Sequence, residues 1–347
     1  MAKVQTHSST LAAAHILALW GAILLVAQLY TWVGFFAHGP VSVEPEGPFL
    51  PATYWGARFF EVTGWLSLLA LAPIVIRRCI AENRLTFDAK FCIAGLLTYW
   101  CDPMVEFFQP IFFNSAYYVN VRDWTGFIPF IVNPDAGHIL EPYLAYIPMY
   151  TSGFLAYAMM LNALMHKVSD RVPNVSGYTL FAIAFAVGAL LEIAVEIIWL
   201  KLELISYPGA PDFMALYVGD LKMPWIEWFT GGLVFGSFSL VRYYVDQDGL
   251  RITERGLSNL SSKVQAMVST LAMIAILNSL MITASLMDAF VGLYSSPWRP
   301  QPAHLLIGAC DLPGSYTGSR YGPCPGSEGY RMPLHGSLEG PNPHGRQ

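Results

Sequence analysis

The sequence predicts an all-α, polytopic integral membrane protein, a bundle of seven transmembrane helices, because apolar residues dominate it and fall into long stretches. Of its 347 residues, 54% are hydrophobic and only 12% are charged, whereas charged residues make up roughly a quarter of an average soluble domain. The mean hydropathy is +0.45. So few charges cannot cover a soluble surface, and the lipid bilayer is therefore an expected partner. The net charge of −5 provides no basic surface, which excludes nucleic acid as an expected partner.

Seven apolar stretches are long enough to cross a bilayer, which takes about 20 residues of helix. They lie at roughly 11–36, 59–80, 88–108, 143–165, 176–201, 224–245 and 264–291. The first stretch is too long for a cleaved signal peptide and is interpreted as a retained helix. Residues 1–296 are thus predicted to form the membrane domain. Residues 297–347 are rich in Pro and Gly and are predicted to be a disordered tail.

The basic residues predict the orientation of the bundle. Ten Lys and Arg residues lie in the loops that join spans 2–3, 4–5 and 6–7, and four lie in the opposite loops. Because basic residues favour the cytoplasmic side, the N-terminus is predicted to be cytoplasmic and the C-terminus non-cytoplasmic. Two outer loops, at about 109–142 and 202–223, are unusually long, and loops of that length are often functional. The first is rich in aromatic residues and is expected to be ordered.

The acidic residues of the predicted spans all lie toward the non-cytoplasmic side, although successive spans run in opposite directions. Ionisable groups within a membrane are costly and often mark functional sites. Their common depth therefore predicts a shared polar cavity that opens on that side. These residues are Glu61, Asp102, Glu106, Glu192, Glu196, Glu227 and Asp288.

Two pairs of these acids are spaced four residues apart, Asp102 with Glu106 and Glu192 with Glu196. In an α-helix this spacing places both carboxyl groups on one face. Two like charges in a poorly solvated site do not both ionise easily, so one member of each pair is expected to hold a proton. A proton donor beside an acceptor is what acid–base catalysis requires. These four residues are the predicted catalytic groups.

Each acid could instead have a purely structural role, since a carboxylate near a helix end can reach the interface or pair with Arg122, Lys201 or Lys222. That role is favoured for Glu61 and Asp288. The sequence contains no His cluster, no C-x-x-C and no Gly-rich phosphate loop. We therefore expect no cofactor and no metal. Carboxylates and aromatic residues in a membrane pocket suit the acid-promoted rearrangement of a lipophilic small molecule through a cationic intermediate.

The segment from Asp102 to Phe130 reads DPMVEFFQPIFFNSAYYVNVRDWTGFIPF. It resembles the AveC-type spirocyclase family, membrane proteins of polyketide pathways. The residues that carry the resemblance are Asp102-Pro103, Pro110, Asn114-Ser115, Asn120, Trp124 and Ile128-Pro129. Glu106-Phe107 stands where the family pattern has an Asn-Tyr pair, and Phe130 stands in place of a Gly. These departures count against Glu106 as an inherited catalytic residue.

The resemblance implies that a dihydroxy-ketone is closed to a spiroketal, and some family members also dehydrate an alcohol. On this hypothesis the pocket lies between spans 3, 5 and 6 under the 109–142 loop. Three alternatives stay open: a membrane cyclase or isomerase of terpenoids, a proton-coupled transporter of a lipophilic product, and a non-catalytic assembly or sensor protein. The residues expected to contact substrate are Asn114, Tyr117, Asn120, Trp124, His138, Glu141, Trp199, Trp225 and Glu227.

Overall fold

The computed structural model describes residues 13–133, 136–137, 139–296, 298–299 and 301–306. Its α-helices are α1 (Ala13–His38), α2 (Pro51–Glu82), α3 (Phe87–Thr98), α4 (Tyr143–Pro148), α5 (Phe154–Arg171), α6 (Gly177–Lys201), α7 (Ile226–Tyr243), α8 (Ser262–Gly292) and α9 (Ala303–Leu306). A 3-10 helix (Tyr99–Glu106) continues α3, and a π-helical turn (Met149–Gly153) joins α4 to α5. In the bundle α1 packs on α8, α6 on α7, and α3 on α8.

Five helices of the described chain are long and apolar enough to cross a membrane. They are Ala13–His38, Pro51–Glu82, Tyr143–Arg171, Gly177–Lys201 and Ser262–Gly292. Their outward faces are apolar, as lipid contact requires; Val26 and Val33 on α1 and Leu69 on α2 are each about two-thirds exposed. The membrane character predicted by the composition therefore holds for these five helices.

The predicted count of seven spanning helices is not confirmed, because two of the predicted spans hold shorter helices in the described part of the chain. In the span at 88–108, α3 has 12 residues and gives way to the 3-10 helix at Tyr99. Pro103 contributes to this change, since it lacks the N–H that would bond to the carbonyl of Tyr99 in an α-helix. In the span at 224–245, α7 has 18 residues and is not among the five helices that are long and apolar enough to cross a membrane.

The all-α prediction also needs correction, because the outer loops contain three short antiparallel strand pairs. The strands are β1 (Phe113–Asn114), β2 (Val121–Arg122), β3 (Leu140–Glu141), β4 (Ile205–Ser206), β5 (Ala215–Val218) and β6 (Leu221–Pro224), paired as β1–β4, β2–β3 and β5–β6. These loops are folded over the helix ends and largely buried, so their backbone groups must find partners. The outer loops thus form an ordered layer, called the roof here, from the described residues 107–133, 136–137, 139–142 and 202–225.

The first part of the predicted tail packs against this roof. Leu305 and Leu306 of α9 are 1% and 2% exposed, and the backbone N–H of Ala116 donates to the carbonyl of His304 at 2.8 Å. The predicted disorder therefore does not hold for residues 301–306, because their apolar side chains are buried. Residues 307–347 lie outside the described residues, and their disorder stays a prediction.

Charged residues gather at the end of the bundle opposite the roof. The carboxylate of Asp88 is 3.2 Å from the guanidinium of Arg78 and 2.9 Å from that of Arg242. Lys90 pairs with Glu254 at 2.8 Å. These pairs join α2, α3, α7 and the loop before α8. This end carries the basic loops that the charge asymmetry assigns to the cytoplasm, and that orientation stays a prediction.

At Gly95, α3 packs closely against the π-helical turn. A Cβ atom at Gly95 would lie 2.2 Å from the backbone oxygen of Tyr150, so Gly95→Ala should overpack the contact and lower the free energy of unfolding by about 1–3 kcal/mol. Thermal unfolding in detergent measures this. Gly153→Ala in the same turn is the matched control, because its Cβ would meet no atom closer than 3.6 Å. Equal melting temperatures for the two variants would contradict the prediction.

Candidate active site

A cavity of about 390 Å³ lies between α2, the 3-10 helix, the α4–α5 segment, α6, α7 and α8. Five carboxylic acids from four of these elements line it: Asp102, Glu192, Glu196, Glu227 and Asp288. No lysine, arginine or histidine stands among the described residues that line it. The sequence-based prediction that acids on separate spans share one cavity is thus supported by the geometry.

Glu192 and Glu196 reach the cavity from α6, where their spacing places both on the same helix face, as predicted. Glu196 is 3% exposed. The hydroxyl of Tyr207 donates to its Oε1 at 2.5 Å, whereas its Oε2 has no hydrogen-bond partner among the described residues. α7 approaches α6 closely here, since a Cβ atom at Gly231 would lie 2.7 Å from Cγ of Glu192.

Tyr207 belongs to the roof and is a partner that the sequence analysis missed. Burial raises the pKa of its hydroxyl, and the nearby Glu196 and Glu227 carboxylates raise it further. Tyr207 therefore stays protonated and acts as a hydrogen-bond donor. Its role depends on the chain folding back over the end of α6, which no local pattern in the sequence indicates.

Asp102 lies in a second polar group at the edge of the cavity. The hydroxyl of Tyr150 donates to Asp102 Oδ1, and the carboxyl groups of Asp102 and Glu141 lie near enough to interact electrostatically. The hydroxyl of Tyr99 donates to Glu141 Oε2 at 3.0 Å. Burial raises the pKa of Glu141 well above its ordinary value, and the adjacent Asp102 raises it further. The two carboxyl groups can therefore share one proton between them.

Aromatic side chains form a large part of the remaining cavity wall. The rings of Tyr157 and Phe235 are stacked, with centroids 4.4 Å apart and planes 13° apart. Trp199 faces Phe60 edge-to-face at 5.5 Å, and Tyr150 lies on the π-helical turn, a distortion common at functional sites. The site therefore combines several carboxylic acids with aromatic faces.

A family model described as "Spirocyclase AveC-like" matches residues 82–301, which is more than half of the chain. The chain belongs to the AveC-like spirocyclase family. All five acids of the cavity lie within the matched residues of this spirocyclase-family chain. No curated protein and no solved structure matches it significantly. The resemblance that the segment from Asp102 to Phe130 indicates is thus confirmed.

Within this spirocyclase-family site, Asp102 and Glu106 do not form the pair that their spacing predicts. Glu106 is 1% exposed, does not line the cavity, and its Oε1 accepts a bond from the N–H of Phe112 at 3.2 Å. Both residues lie in the 3-10 helix. With three residues per turn, residues four apart point about 120° away from each other. The carboxyl partner of Asp102 is Glu141 instead.

Asn114 stands behind the cavity wall rather than in it. Its Nδ2 donates to the carbonyl of Leu140 at 3.0 Å, and its Oδ1 accepts a bond from the hydroxyl of Tyr146 at 2.7 Å. Tyr146 itself lines the cavity. The expected direct contact of Asn114 with substrate is therefore corrected to a role in holding Tyr146.

Three further residues expected to contact substrate belong to the roof, bond to segments next to it and do not line the cavity: Tyr117, Asn120 and Trp124. The hydroxyl of Tyr117 donates to the carbonyl of Pro48 at 3.0 Å. Asn120 Nδ2 donates to a carbonyl in the segment before α2 at 2.9 Å, and Trp124 Nε1 donates to the carbonyl of Trp100 at 2.9 Å. Since their polar groups are satisfied by backbone, these residues order the roof.

The other expected contacts are divided between the cavity and the surface. Trp199 and Glu227 line the cavity, whereas Trp225 is 52% exposed and lies outside it. Glu141 is 2% exposed and does not line the cavity, although it interacts with Asp102, which does. His138 lies outside the described residues.

A purely structural role is expected for Glu61 and Asp288, and the geometry supports it for Glu61 but not for Asp288. Glu61 pairs with Arg58 at 2.9 Å and accepts a bond from the N–H of Val119 at 2.7 Å. Asp288 lines the cavity, and its Oδ1 has no hydrogen-bond partner among the described residues. In the described part of the chain, no group of three or more His, Cys, Asp or Glu side chains is arranged to hold a metal ion.

Proposed function

We propose that this protein is a cofactor-independent spirocyclase that closes a dihydroxy-ketone polyketide to a spiroketal in the acidic cavity. The observation that carries the proposal is the set of five carboxylic acids in one cavity, without a cation among the described lining residues. Acids this close in a poorly solvated space cannot all be ionised, so donors and acceptors of protons stand side by side. Membership in the spirocyclase family supports the reaction class.

The reaction needs only proton transfers and the loss of one water molecule. One hydroxyl oxygen of the substrate adds to the ketone carbon, while a carboxylic acid protonates the ketone oxygen and a carboxylate takes the hydroxyl proton. The resulting hemiketal hydroxyl is protonated and leaves as water, which forms an oxocarbenium ion. The second hydroxyl adds to this ion and passes its proton to a carboxylate. Atoms and charge balance without an oxidant or reductant.

Glu196 and Glu192 are the proposed acid–base pair. They are adjacent on α6, and the free Oε2 of the buried Glu196 can donate or accept a proton while Tyr207 holds its Oε1. Asp102 is the proposed second centre, because it accepts a hydrogen bond from Tyr150 and interacts with the Glu141 carboxyl group, with which it can share a proton. Both centres can reach one substrate, since both line the same cavity.

The aromatic residues of the cavity wall are suited to stabilise the proposed cationic intermediate. The faces of Tyr157, Phe235 and Trp199 can stabilise an oxocarbenium ion through cation–π attraction. The cavity volume of about 390 Å³ lies within the range of small-molecule sites. The largely apolar wall also keeps bulk water from the ion, which favours capture by the second hydroxyl. Dehydration of an alcohol stays a prediction.

The proposal is tested by supplying a dihydroxy-ketone to the purified protein in lipid nanodiscs without added cofactor. Mass spectrometry and chiral chromatography follow the product. We expect a product lighter by one water, formed as one spiroketal stereoisomer and faster than in empty nanodiscs. Recovery of unchanged keto-diol, or formation of the same isomer mixture as in empty nanodiscs, would contradict the proposal. An isomer of unchanged mass would favour isomerisation instead.

A further inference from the structure

The outer end of the cavity is covered, although the common depth of the acids predicts an opening there. Phe112 and Tyr207 line the cavity on this side, with ring centroids 4.8 Å apart. Behind them the roof is solid, since Ile205 and Met223 are fully buried. A substrate therefore has no direct path from the outer aqueous phase through this part of the roof.

The wall between α2 and α6 is different, because these two helices meet near the roof and then separate. Near the roof, Phe60 of α2 contacts Trp199 of α6 at 5.5 Å. A Cβ atom at Gly56 would lie 3.1 Å from Leu202, just beyond α6. These contacts close the upper part of the seam between the two helices.

Farther from the roof, α2 and α6 pack on different neighbours. On α2, a Cβ atom at Gly64 would lie 2.9 Å from Pro148, and the Ser67 hydroxyl is 2.9 Å from that of Ser152. On α6, Glu192 packs against Gly231 of α7. Both helices still line the cavity here, so a gap between them connects it to the outside of the bundle.

The side chains at this gap confirm that it reaches the surface. Ser67 lines the cavity and is also exposed, and Thr63, Tyr157 and Glu192 line it while partly exposed. The surface around the gap is apolar and suited to lipid. The exposed neighbours are Phe59, Val62, Leu66 and Leu69 on α2 and Leu190 and Ile198 on α6.

We infer that substrate enters sideways from the bilayer through a window between α2 and α6, bounded by Thr63, Ser67, Tyr157 and Glu192. This inference rests on the proposed function for the identity of the substrate. It also narrows the substrate class to a long-chain lipophile with its hydroxyl and ketone groups near one end. That end enters the cavity, while the apolar remainder stays in lipid, so the substrate need not fit within about 390 Å³.

The window is tested with a probe that needs no turnover, a long-chain alcohol carrying an alkyl diazirine near its hydroxyl. Dissolved in the nanodisc lipid and photolysed, it should insert into the Glu192 carboxyl group, as located by peptide mass spectrometry. Ser67→Trp should abolish this labelling by filling the window. Leu66→Trp, on the adjacent lipid-facing position, should leave it unchanged, and Ser67→Ala, which removes only the hydroxyl, should also retain it.

Each outcome decides the window independently of the reaction. Labelling of Glu192 that persists in Ser67→Trp, or that is absent from the wild-type protein, would overturn the window. Equal loss in Leu66→Trp would do the same, provided that both variants melt at the wild-type temperature. If Ser67→Trp melts lower, Thr63→Trp replaces it with the same expectation. Labelling that depends on the window, without spiroketal formation, would contradict only the proposed function. Spiroketal formation without such labelling would contradict only the window.

Discussion

Replacing Glu196 with Gln is expected to lower the rate of spiroketal formation by about 10²- to 10⁴-fold, the usual contribution of a general acid or base. The amide keeps the shape of the side chain and can still accept the Tyr207 hydrogen bond, but it cannot give up or take a proton at the reacting oxygen. Initial rates with a dihydroxy-ketone in nanodiscs measure the effect. A smaller loss is expected for Glu192→Gln, since that residue is less buried.

Glu203→Gln is the matched control for this prediction. Glu203 follows Glu196 by seven residues, lies just beyond α6 and does not line the cavity. Its carboxylate lies 3.7 Å from the ring of His304 in α9, outside the cavity, so its loss should leave turnover within twofold of wild type. Full turnover by Glu196→Gln, or equal losses in both variants, would show that the α6 pair does not carry the proton transfers.

Asp88→Asn should produce the largest loss of stability, with the free energy of unfolding lowered by about 3–5 kcal/mol. The Asp88 carboxylate bonds to the Arg242 Nε and Nη2 at 2.9 and 3.1 Å, and both side chains are largely buried. The substitution removes the negative charge that pairs with the buried Arg242 guanidinium, whose other side-chain partner among the described residues is the neutral Asn162. Thermal unfolding of the purified protein in detergent measures the shift.

Glu82→Gln provides the comparison at the same end of the molecule. Glu82 pairs with Arg84 at 2.7 Å, but both side chains are substantially exposed. Exposed ion pairs contribute about 0–1 kcal/mol, so the melting temperature should barely move. Equal shifts for the two variants would mean that burial does not set the strength of the Asp88 pair. Because Asp88 is remote from the cavity, any Asp88→Asn protein that remains folded should retain spiroketal formation.

The family resemblance and the position of the acids could be predicted from local sequence because each depends on short-range pattern. The order of motifs from Asp102 to Ile128 indicates the spirocyclase family, which the family match confirms. The i, i+4 spacing of Glu192 and Glu196 predicts one face because α6 is a regular α-helix there. The same rule fails for Asp102 and Glu106, where the helix tightens to 3-10 geometry.

Composition alone indicated association with a bilayer, which the five long apolar helices support, because a chain with so few charged residues cannot cover a water-exposed surface whatever its fold. Tertiary structure alone decided the partners of the acids. Tyr207 meets Glu196, and Glu141 meets Asp102, only because the outer loops fold back over the helix ends. Such contacts join residues that no periodicity relates, as the 39-residue separation of Asp102 and Glu141 shows. These contacts depend on how whole segments pack against each other, and local sequence periodicity does not specify that packing.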